Sequence, residues 1–307
     1  MPQKFVRKWD LSNKIIIVPD DHYHKKINYT FLVYDLSGEL LHKSPYNPEL
    51  DCEELKGQGR PTFRPFGVTF DDEYLYVASH KKLGKYKKNT FEFYGLVDVP
   101  MYINTHQITK DDDNFYIAHT AVNAIGIHGK INTYFDVETL LCVEKPPEPN
   151  HVNNLDTIHV NTVTDHDGKI YFCLHNLGKV PSQFGYFDKT TYESKIIASA
   201  GFCCHDVQII NNGLYALSSE TGEIIEIEIS TGQVTTHKVV NPSKTFLRGM
   251  DISDGKIIFC ASNRYSDGVI PMNNCFVSTF DTTTKDIKKL FTIGEADVIV
   301  CMKNIPK

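Results

Sequence analysis

The chain has 307 residues, of which 41% are hydrophobic and 23% are charged, a balance typical of a globular protein with a large buried core. Its formal net charge of −6 argues against a nucleic-acid partner, whose phosphates require a basic surface. The longest apolar runs are too short to cross a bilayer, and the N-terminal stretch lacks the apolar segment of a signal peptide, so we expect no membrane partner. The eight cysteines show no C-x-x-C spacing and indicate reduced thiols in a cytoplasmic protein.

A strand–turn–strand unit recurs along the chain. Its clearest copy is "RGMDISDGKIIFCAS", and "WDLSNKIIIVP" near the N-terminus matches it closely. Each copy is a short strand, a polar turn with Asp, Asn or Gly, and a second strand rich in Ile, Tyr, Phe and Val. In chain order, the copies begin at Trp9, Phe66, His106, Asn161, His205 and Arg248.

A β-hairpin follows each copy of that unit. Its turn contains an aromatic residue, Asp and two or three small polar residues, as in "YDLSGEL" and "YFDKTTYES". The hairpins begin at Tyr34, Lys85, Tyr134, Tyr186, Ile227 and Thr279. They recur about every 50 residues, the period typical of propeller blades.

Six units of four strands predict an all-β fold, a six-bladed β-propeller formed by one domain over residues 1–307. No stretch of helical periodicity interrupts the pattern, and five or seven blades are the alternative counts. The chain resembles the broad six-bladed group of NHL-repeat, SMP-30/gluconolactonase-like and strictosidine-synthase-like propellers. This resemblance is architectural and covers nearly the whole chain. Since this group contains enzymes, sugar-binding proteins and scaffolds, the resemblance implies no single function.

The termini are expected to close the ring within one blade, because a propeller must cover the edges of its first and last sheets. Residues 295–303, "EADVIVCMK", alternate like a strand and are predicted to join the blade begun by residues 5–42. Their position within that blade stays open, because residues 9–12 also resemble an inner strand.

The innermost strands of a propeller run along its central channel, so residues at their starts meet at one mouth. Aligning these strands on their central apolar residue selects the residues two places earlier. They are Arg7, Phe66, His106, Asn161, His205 and Arg248. His159 lies two residues before Asn161 and is predicted on the same strand face.

These residue types indicate two kinds of chemistry. Imidazoles from separate strands can bind a divalent transition metal, and we predict His106, His159 and His205 as its ligands. A metal-bound water would then attack an ester or lactone. Alternatively, His106 or His205 acts as the catalytic acid or base without a metal. The predicted substrate-binding residues are Arg248, which suits a carboxylate or phosphate, together with Arg7, Asn161 and Phe66.

A simpler interpretation stands beside this one, because channel histidines often hydrogen-bond only to water and backbone. The predicted ring also lacks a carboxylate. Because successive side chains of a strand point to opposite faces, Asp206 is predicted on the face opposite His205. Asp156 and Asp251 are the nearest acidic candidates for the ring.

The leading functional hypothesis is a hydrolase or lyase that acts on a small anionic or sugar-like ligand at the channel mouth. The rival is a non-catalytic propeller that binds or sequesters a ligand or a partner protein. The sequence does not decide between them.

Overall fold

The chain is a six-bladed β-propeller, as predicted. The computed structural model describes residues 14–19, 29–58, 62–145, 156–240, 245–263, 275–294 and 299–305. Within these ranges the chain forms six antiparallel sheets and four short 3₁₀ helices. The 3₁₀ helices span Pro48–Leu50, Glu53–Leu55, Thr120–Val122 and Asn176–Gly178. In the part of the chain that is described, no helix has the length and apolarity needed to cross a bilayer.

Each blade except the first is a consecutive meander that runs from the channel outward. In that order, blade 1 consists of β25 (Ile299–Ile305), β1 (Lys14–Pro19), β2 (Tyr29–Asp35) and β3 (Leu40–Pro45). Blade 2 consists of β4 (Pro65–Phe70), β5 (Tyr74–Ser79), β6 (Lys82–Lys87) and β7 (Phe93–Leu96). Blade 3 has a fifth strand and consists of β8 (Thr105–Lys110), β9 (Asn114–His119), β10 (Ala124–Gly129), β11 (Asn132–Asp136) and β12 (Leu141–Val143).

The other three blades have four strands each. Blade 4 consists of β13 (Val160–His166), β14 (Lys169–Leu174), β15 (Gln183–Asp188) and β16 (Ser194–Ser199). Blade 5 consists of β17 (Cys204–Ile210), β18 (Gly213–Ser218), β19 (Glu223–Glu228) and β20 (Val234–Lys238). Blade 6 consists of β21 (Thr245–Ser253), β22 (Lys256–Asn263), β23 (Cys275–Phe280) and β24 (Ile287–Ile293).

The C-terminal strand β25 closes the ring as the innermost strand of blade 1. It pairs antiparallel with β1 and lies between the inner strands of blades 6 and 2. The inner strands β4, β8, β13, β17, β21 and β25 are therefore successive neighbours around the channel. Residues 9–12, the alternative candidate for that inner position, lie outside the described residues.

The hydrophobic core lies between the blades. Between blades 3 and 4, for example, Phe135 stacks on Phe187 with ring centroids 4.4 Å apart, and Tyr116 and Phe172 pack into the same cluster. All four side chains are buried. The alternation read in the sequence produces this packing, because each sheet buries both faces against its neighbours.

The Asp residues of the repeated hairpins make the turns. Asp188 accepts hydrogen bonds from the backbone N–H groups of Thr190 and Thr191, and Asp281 does the same for Thr283 and Thr284. A short carboxylate side chain thus satisfies the turn backbone, which explains why Asp recurs at this position.

A β-bulge interrupts each of the six inner strands near its first residues. The bulged residues are Phe66, His106 with Gln107, Asn161, Asp206, Arg248 with Gly249, and Val300. A bulge re-aims the side chains beside it, so strict alternation fails at the level where the site lies.

Candidate functional site

Four imidazoles form a continuous arc at one mouth of the channel. They belong to His106, His159, His175 and His205, which we call the histidine arc. Successive ring centroids along this order lie 4.8, 4.8 and 4.9 Å apart. The structure therefore brings together the three predicted histidines, although they come from blades 3, 4 and 5.

His175 was not selected from the sequence. It follows β14, the second strand of blade 4, and its backbone N–H donates to the carbonyl of His159. The inner-strand pattern does not include His175, because this residue lies at the end of a second strand. In each blade that end lies beside the start of the first strand. The histidine directly after the apolar end of β14, in "CLH", is the available signal.

Aromatic rings flank the arc at both ends. Phe66 stacks on His106 with centroids 4.4 Å apart and an interplanar angle of 8°. Phe246 meets His205 edge-on at 5.4 Å. The guanidinium carbons of Arg64 and Arg248 lie 4.6 and 5.5 Å from the Phe66 ring centroid, so two cationic groups lie at this end of the arc.

Two imidazoles of the arc carry their hydrogen on Nδ1. His159 Nδ1 lies 2.8 Å from both carboxylate oxygens of Asp156, which can only accept. His205 Nδ1 lies 2.8 Å from the hydroxyl of Ser219, whose own hydrogen goes to the carbonyl of Leu247. In the neutral rings, Nε2 of His159 and His205 therefore presents a lone pair.

The other two imidazoles have the opposite tautomer. An Arg248 guanidinium nitrogen lies 3.4 Å from His106 Nδ1, and a guanidinium can only donate. The backbone N–H of Leu177 donates to His175 Nδ1 at 3.1 Å. Both Nδ1 atoms are acceptors, so Nε2 of His106 and His175 carries the hydrogen in the neutral ring.

The four Nε2 atoms are the available groups of the arc. No described residue hydrogen-bonds to them, and none of them is a polar atom sealed from solvent. In the order His106, His159, His175 and His205, the four Nε2 atoms are a donor, an acceptor, a donor and an acceptor.

Burial keeps three of the four imidazoles of the arc neutral. Burial first, and then the neighbouring His159 and Arg248, holds the pKa of His106 well below its usual range. The same causes lower the pKa of His175 to about 3. Burial and then Arg248 hold the pKa of His205 well below its usual range. These three rings are therefore uncharged at neutral pH, and the positive charge of the mouth comes from the arginines.

A buried carboxylate lies in the channel beside the arc. Asp206 accepts hydrogen bonds from the Gln107 side chain of blade 3 and from the Gly249 N–H of blade 6, the latter at 2.8 Å. Burial raises the pKa of Asp206 to about 6, against the lowering effects of Gly249 and Arg248. The prediction that Asp206 faces away from the channel is wrong, because the bulge at this residue breaks the alternation.

The other predicted residues have different placements. Asn161 is buried, and its amide donates to the carbonyl of Cys204 at 3.0 Å while its oxygen accepts from Thr162. This side chain links blades 4 and 5, and both its nitrogen and its oxygen already make hydrogen bonds within the protein. Arg7 lies outside the described residues, and the inner strand of blade 1, where the alignment places Arg7, is β25.

Comparisons with known proteins show similarity in fold only. No protein-family model matches the chain, and no curated protein matches its sequence. A protein of unknown function from Bacteroides caccae superposes with a TM-score of 0.59 at 10% identity, over 94% of this chain and 97% of that one. A chain from a crystal structure of a nidogen/laminin complex gives the same TM-score and coverage at 7% identity.

The arc does not fit the predicted divalent metal. His106 carries hydrogen on Nε2, so only His159 and His205 present lone pairs, and His175 lies between them. Across the described ranges, no group of three or more His, Cys, Asp or Glu side chains is placed to hold a metal ion. The two guanidiniums beside His106 would also repel a cation.

Proposed function

We propose that this mouth binds a small anionic molecule and that the protein acts on it as a hydrolase or lyase, with His159 as general base. One observation carries the proposal. The Nδ1–H of His159 is held by the Asp156 carboxylate, no described residue hydrogen-bonds to its Nε2, and its ring lies beside that of His106, which contacts the Arg248 guanidinium.

The charge at the mouth supports an anionic ligand. Arg64 and Arg248 both lie over Phe66, and a guanidinium binds a carboxylate or phosphate through two parallel hydrogen bonds. Burial keeps the imidazoles of His106, His175 and His205 uncharged, so they add no positive charge to that of the arginines. Their position at one end of the arc would fix the orientation of the anionic group.

The Asp156–His159 pair supports base catalysis. The carboxylate fixes the ring orientation and stabilises the imidazolium that forms when Nε2 takes a proton. In hydrolysis that proton comes from water, and in a lyase reaction it comes from the carbon next to the anionic group. The Nε2–H groups of His106 and His175 would donate to the oxygen that gains negative charge.

His205 suits a different role. Its Nε2 also has a lone pair, but burial and Arg248 make it a weak proton acceptor. We therefore assign it to ligand binding, together with His106, His175, Arg248 and Phe66. The rival function is binding without catalysis, of a small ligand or of a partner protein; one structurally similar chain comes from a crystal structure of a nidogen/laminin complex.

The first test measures ligand binding and turnover together. We expect at least one carboxylate or phosphate from a panel of small anions to bind, by calorimetry, and Arg248→Gln to weaken it about 10- to 100-fold, because a charged hydrogen bond is lost. His159→Gln should retain most of the binding but abolish product formation, followed by mass spectrometry of the reaction mixture.

Lys288→Gln is the matched control, since it removes one positive charge from the exposed face of an outer strand. It should bind like the parent. Equal loss in both charge variants, or no anion bound by the parent protein, would contradict the anion site. Binding without turnover in the parent would favour the rival function.

A further inference from the structure

Two further imidazoles, those of His119 and His128, are sealed inside blade 3. His119 ends β9, His128 lies on β10, and both side chains are fully buried. The pairing of these strands places the two histidines on one sheet face, on either side of Gly126. The rings of Tyr102 and Tyr134 pack against them. This cluster, which we call the buried histidine pair, lies on the second and third strands of its blade, away from the inner strand that lines the channel.

Three ring nitrogens of the buried histidine pair have no partner. The hydroxyl of Thr105 donates to the carbonyl of Tyr102 at 2.9 Å, so it accepts from Nδ1 of His119 at 3.1 Å, and Nε2 of His119 carries a lone pair. No described residue hydrogen-bonds to this Nε2 or to either ring nitrogen of His128, and all three are sealed from solvent. Buried polar atoms normally have a partner, so these nitrogens indicate one that the side chains do not supply.

The Nε2 atoms of His119 and His128 meet over the α-carbon of Gly126. Each lies within 2.5 Å of the point that a β-carbon at this glycine would occupy, so the two nitrogens are at most twice that distance apart. A metal–imidazole bond is about 2 Å long, so one ion can bind two nitrogens that are up to about 4 Å apart. That separation falls within the bound set by the glycine. Any side chain at residue 126 would clash with both rings.

The charge and the number of ligands favour a monovalent ion. Burial, and then His128, holds the pKa of His119 well below its usual range, and burial lowers the pKa of His128 to about 4 against the raising effect of Asn132. Both rings are therefore neutral, the form that binds a metal. Across the described ranges, no third His, Cys, Asp or Glu side chain joins the pair. A dication would lack ligands and bring uncompensated charge into an apolar site, whereas the soft ion Cu(I) accepts two imidazoles in a line.

We propose that the buried histidine pair binds one Cu(I) ion, with Nε2 of His119 and Nε2 of His128 as its two ligands. This site is independent of the proposed function and of the histidine arc. The ring centroids of Tyr102 and Tyr134 lie 5.1 Å from those of His119 and His128, respectively, so the two tyrosines exclude water and can stabilise a cation. Because Cu(II) prefers four ligands in a plane, this enclosure keeps copper reduced.

Nitrogen NMR of protein with labelled imidazole nitrogens identifies the ligands directly. One equivalent of Cu(I), added without oxygen as its acetonitrile complex, should shift the Nε2 signals of His119 and His128 and leave those of the other histidines unchanged. Cu(I) is diamagnetic, so both signals stay observable. Competition with the coloured Cu(I) chelator bicinchoninate then gives the affinity.

The variant His128→Phe removes one ligand and keeps a ring of similar size. It should weaken Cu(I) binding by more than about 100-fold. The metal-free variant should melt no lower than the metal-free parent, because two buried nitrogens without partners are removed. Cu(I) should raise the thermal midpoint of the parent alone. His166→Phe makes the same substitution at an exposed site on β13 and should bind Cu(I) like the parent.

Three results would overturn the copper site, and none of them bears on the anion site. The first is Cu(I) bound by the parent without a shift of these two imidazoles, as expected if cysteine thiols took the ion. The second is equal affinity of the parent and a folded His128→Phe variant. The third is no Cu(I) bound at all, which would leave a buried water as the partner of these nitrogens. The NMR result on the parent does not depend on the folding of any variant.

Discussion

Removal of the C-terminal strand, residues 299–307, should abolish cooperative folding. This strand is the inner strand of blade 1, and its side chains Ile299, Cys301, Met302 and Ile305 are buried between blades 6 and 2. Burial of each large apolar side chain contributes about 1.5–3 kcal/mol, so the loss is comparable to the whole stability of a domain, about 5–15 kcal/mol.

Polar contacts add to this loss. The backbone N–H of Asn304 donates to Asp251 at 2.6 Å, and its side chain donates to the carbonyl of Ile252 at 2.8 Å. Without β25 these groups of β21 lose their partners, and β1 becomes an open sheet edge. Calorimetry and gel filtration should show an aggregated or non-cooperative product.

Deletion of residues 306–307 alone is the control and should melt like the parent. A peptide of residues 297–307 added in trans should restore part of the transition. A cooperative, parent-like transition in the chain without β25 would show that the ring closes in another way.

Replacing Asp206 by asparagine should change how stability depends on pH. Burial raises the folded-state pKa of Asp206 to about 6, from an ordinary value of 3.8. Folding therefore favours the protonated form. The stabilising contribution is complete below about pH 4 and is lost as the pH rises through 6.

Asparagine has the same shape and does not titrate. Its oxygen can accept from Gly249, and the Gln107 amide can turn to pair with its nitrogen. A pKa raised from 3.8 to about 6 corresponds to about 3 kcal/mol, so Asp206→Asn should gain that much free energy of unfolding, relative to the parent, between pH 4 and pH 7.5.

Urea unfolding at a series of pH values measures this difference directly, since titrations elsewhere largely cancel between the two proteins. Near-ultraviolet circular dichroism at both pH limits controls for a changed fold. A free-energy difference that stays flat with pH, or that favours the parent at high pH, would mean that the carboxylate is not buried as described.

The fold was predictable because its signals are local. Four of the six hairpins carry an Asp turn, as at Asp188 and Asp281, and each inner strand is followed by a polar turn and an apolar strand. The closure was less predictable, because it depends on pairing between β1 and β25 at opposite ends of the sequence. Two segments resembled an inner strand, and alternation alone could not rank them.

The site was predictable in part. His106, His205, Phe66 and Arg248 meet at the mouth because the starts of inner strands converge there, which topology alone implies. His159 also joins them, but through a left-handed backbone with φ of 59° just before its strand, and not through strand alternation.

The failures have a common physical cause. Bulges at the strand starts turn Asp206 towards the channel and commit Asn161 to the neighbouring blade. A single sequence does not show where a bulge falls, since the extra residue changes pairing and not composition. His175 was not predicted because it follows the second strand of its blade, and the pattern that selects site residues covers only inner strands.

The role of His159 as general base depends on the tautomers of the histidine arc. They can be read by long-range proton–nitrogen NMR of protein with labelled imidazole nitrogens, which distinguishes Nδ1–H, Nε2–H and imidazolium rings. The chain has 13 histidines, so each signal is assigned with a single His→Gln variant. At pH 7.5 we predict Nδ1–H for His159 and His205 and Nε2–H for His106 and His175. The same tautomer in all four rings, or imidazolium signals from His106 and His205, would contradict this arrangement of the site.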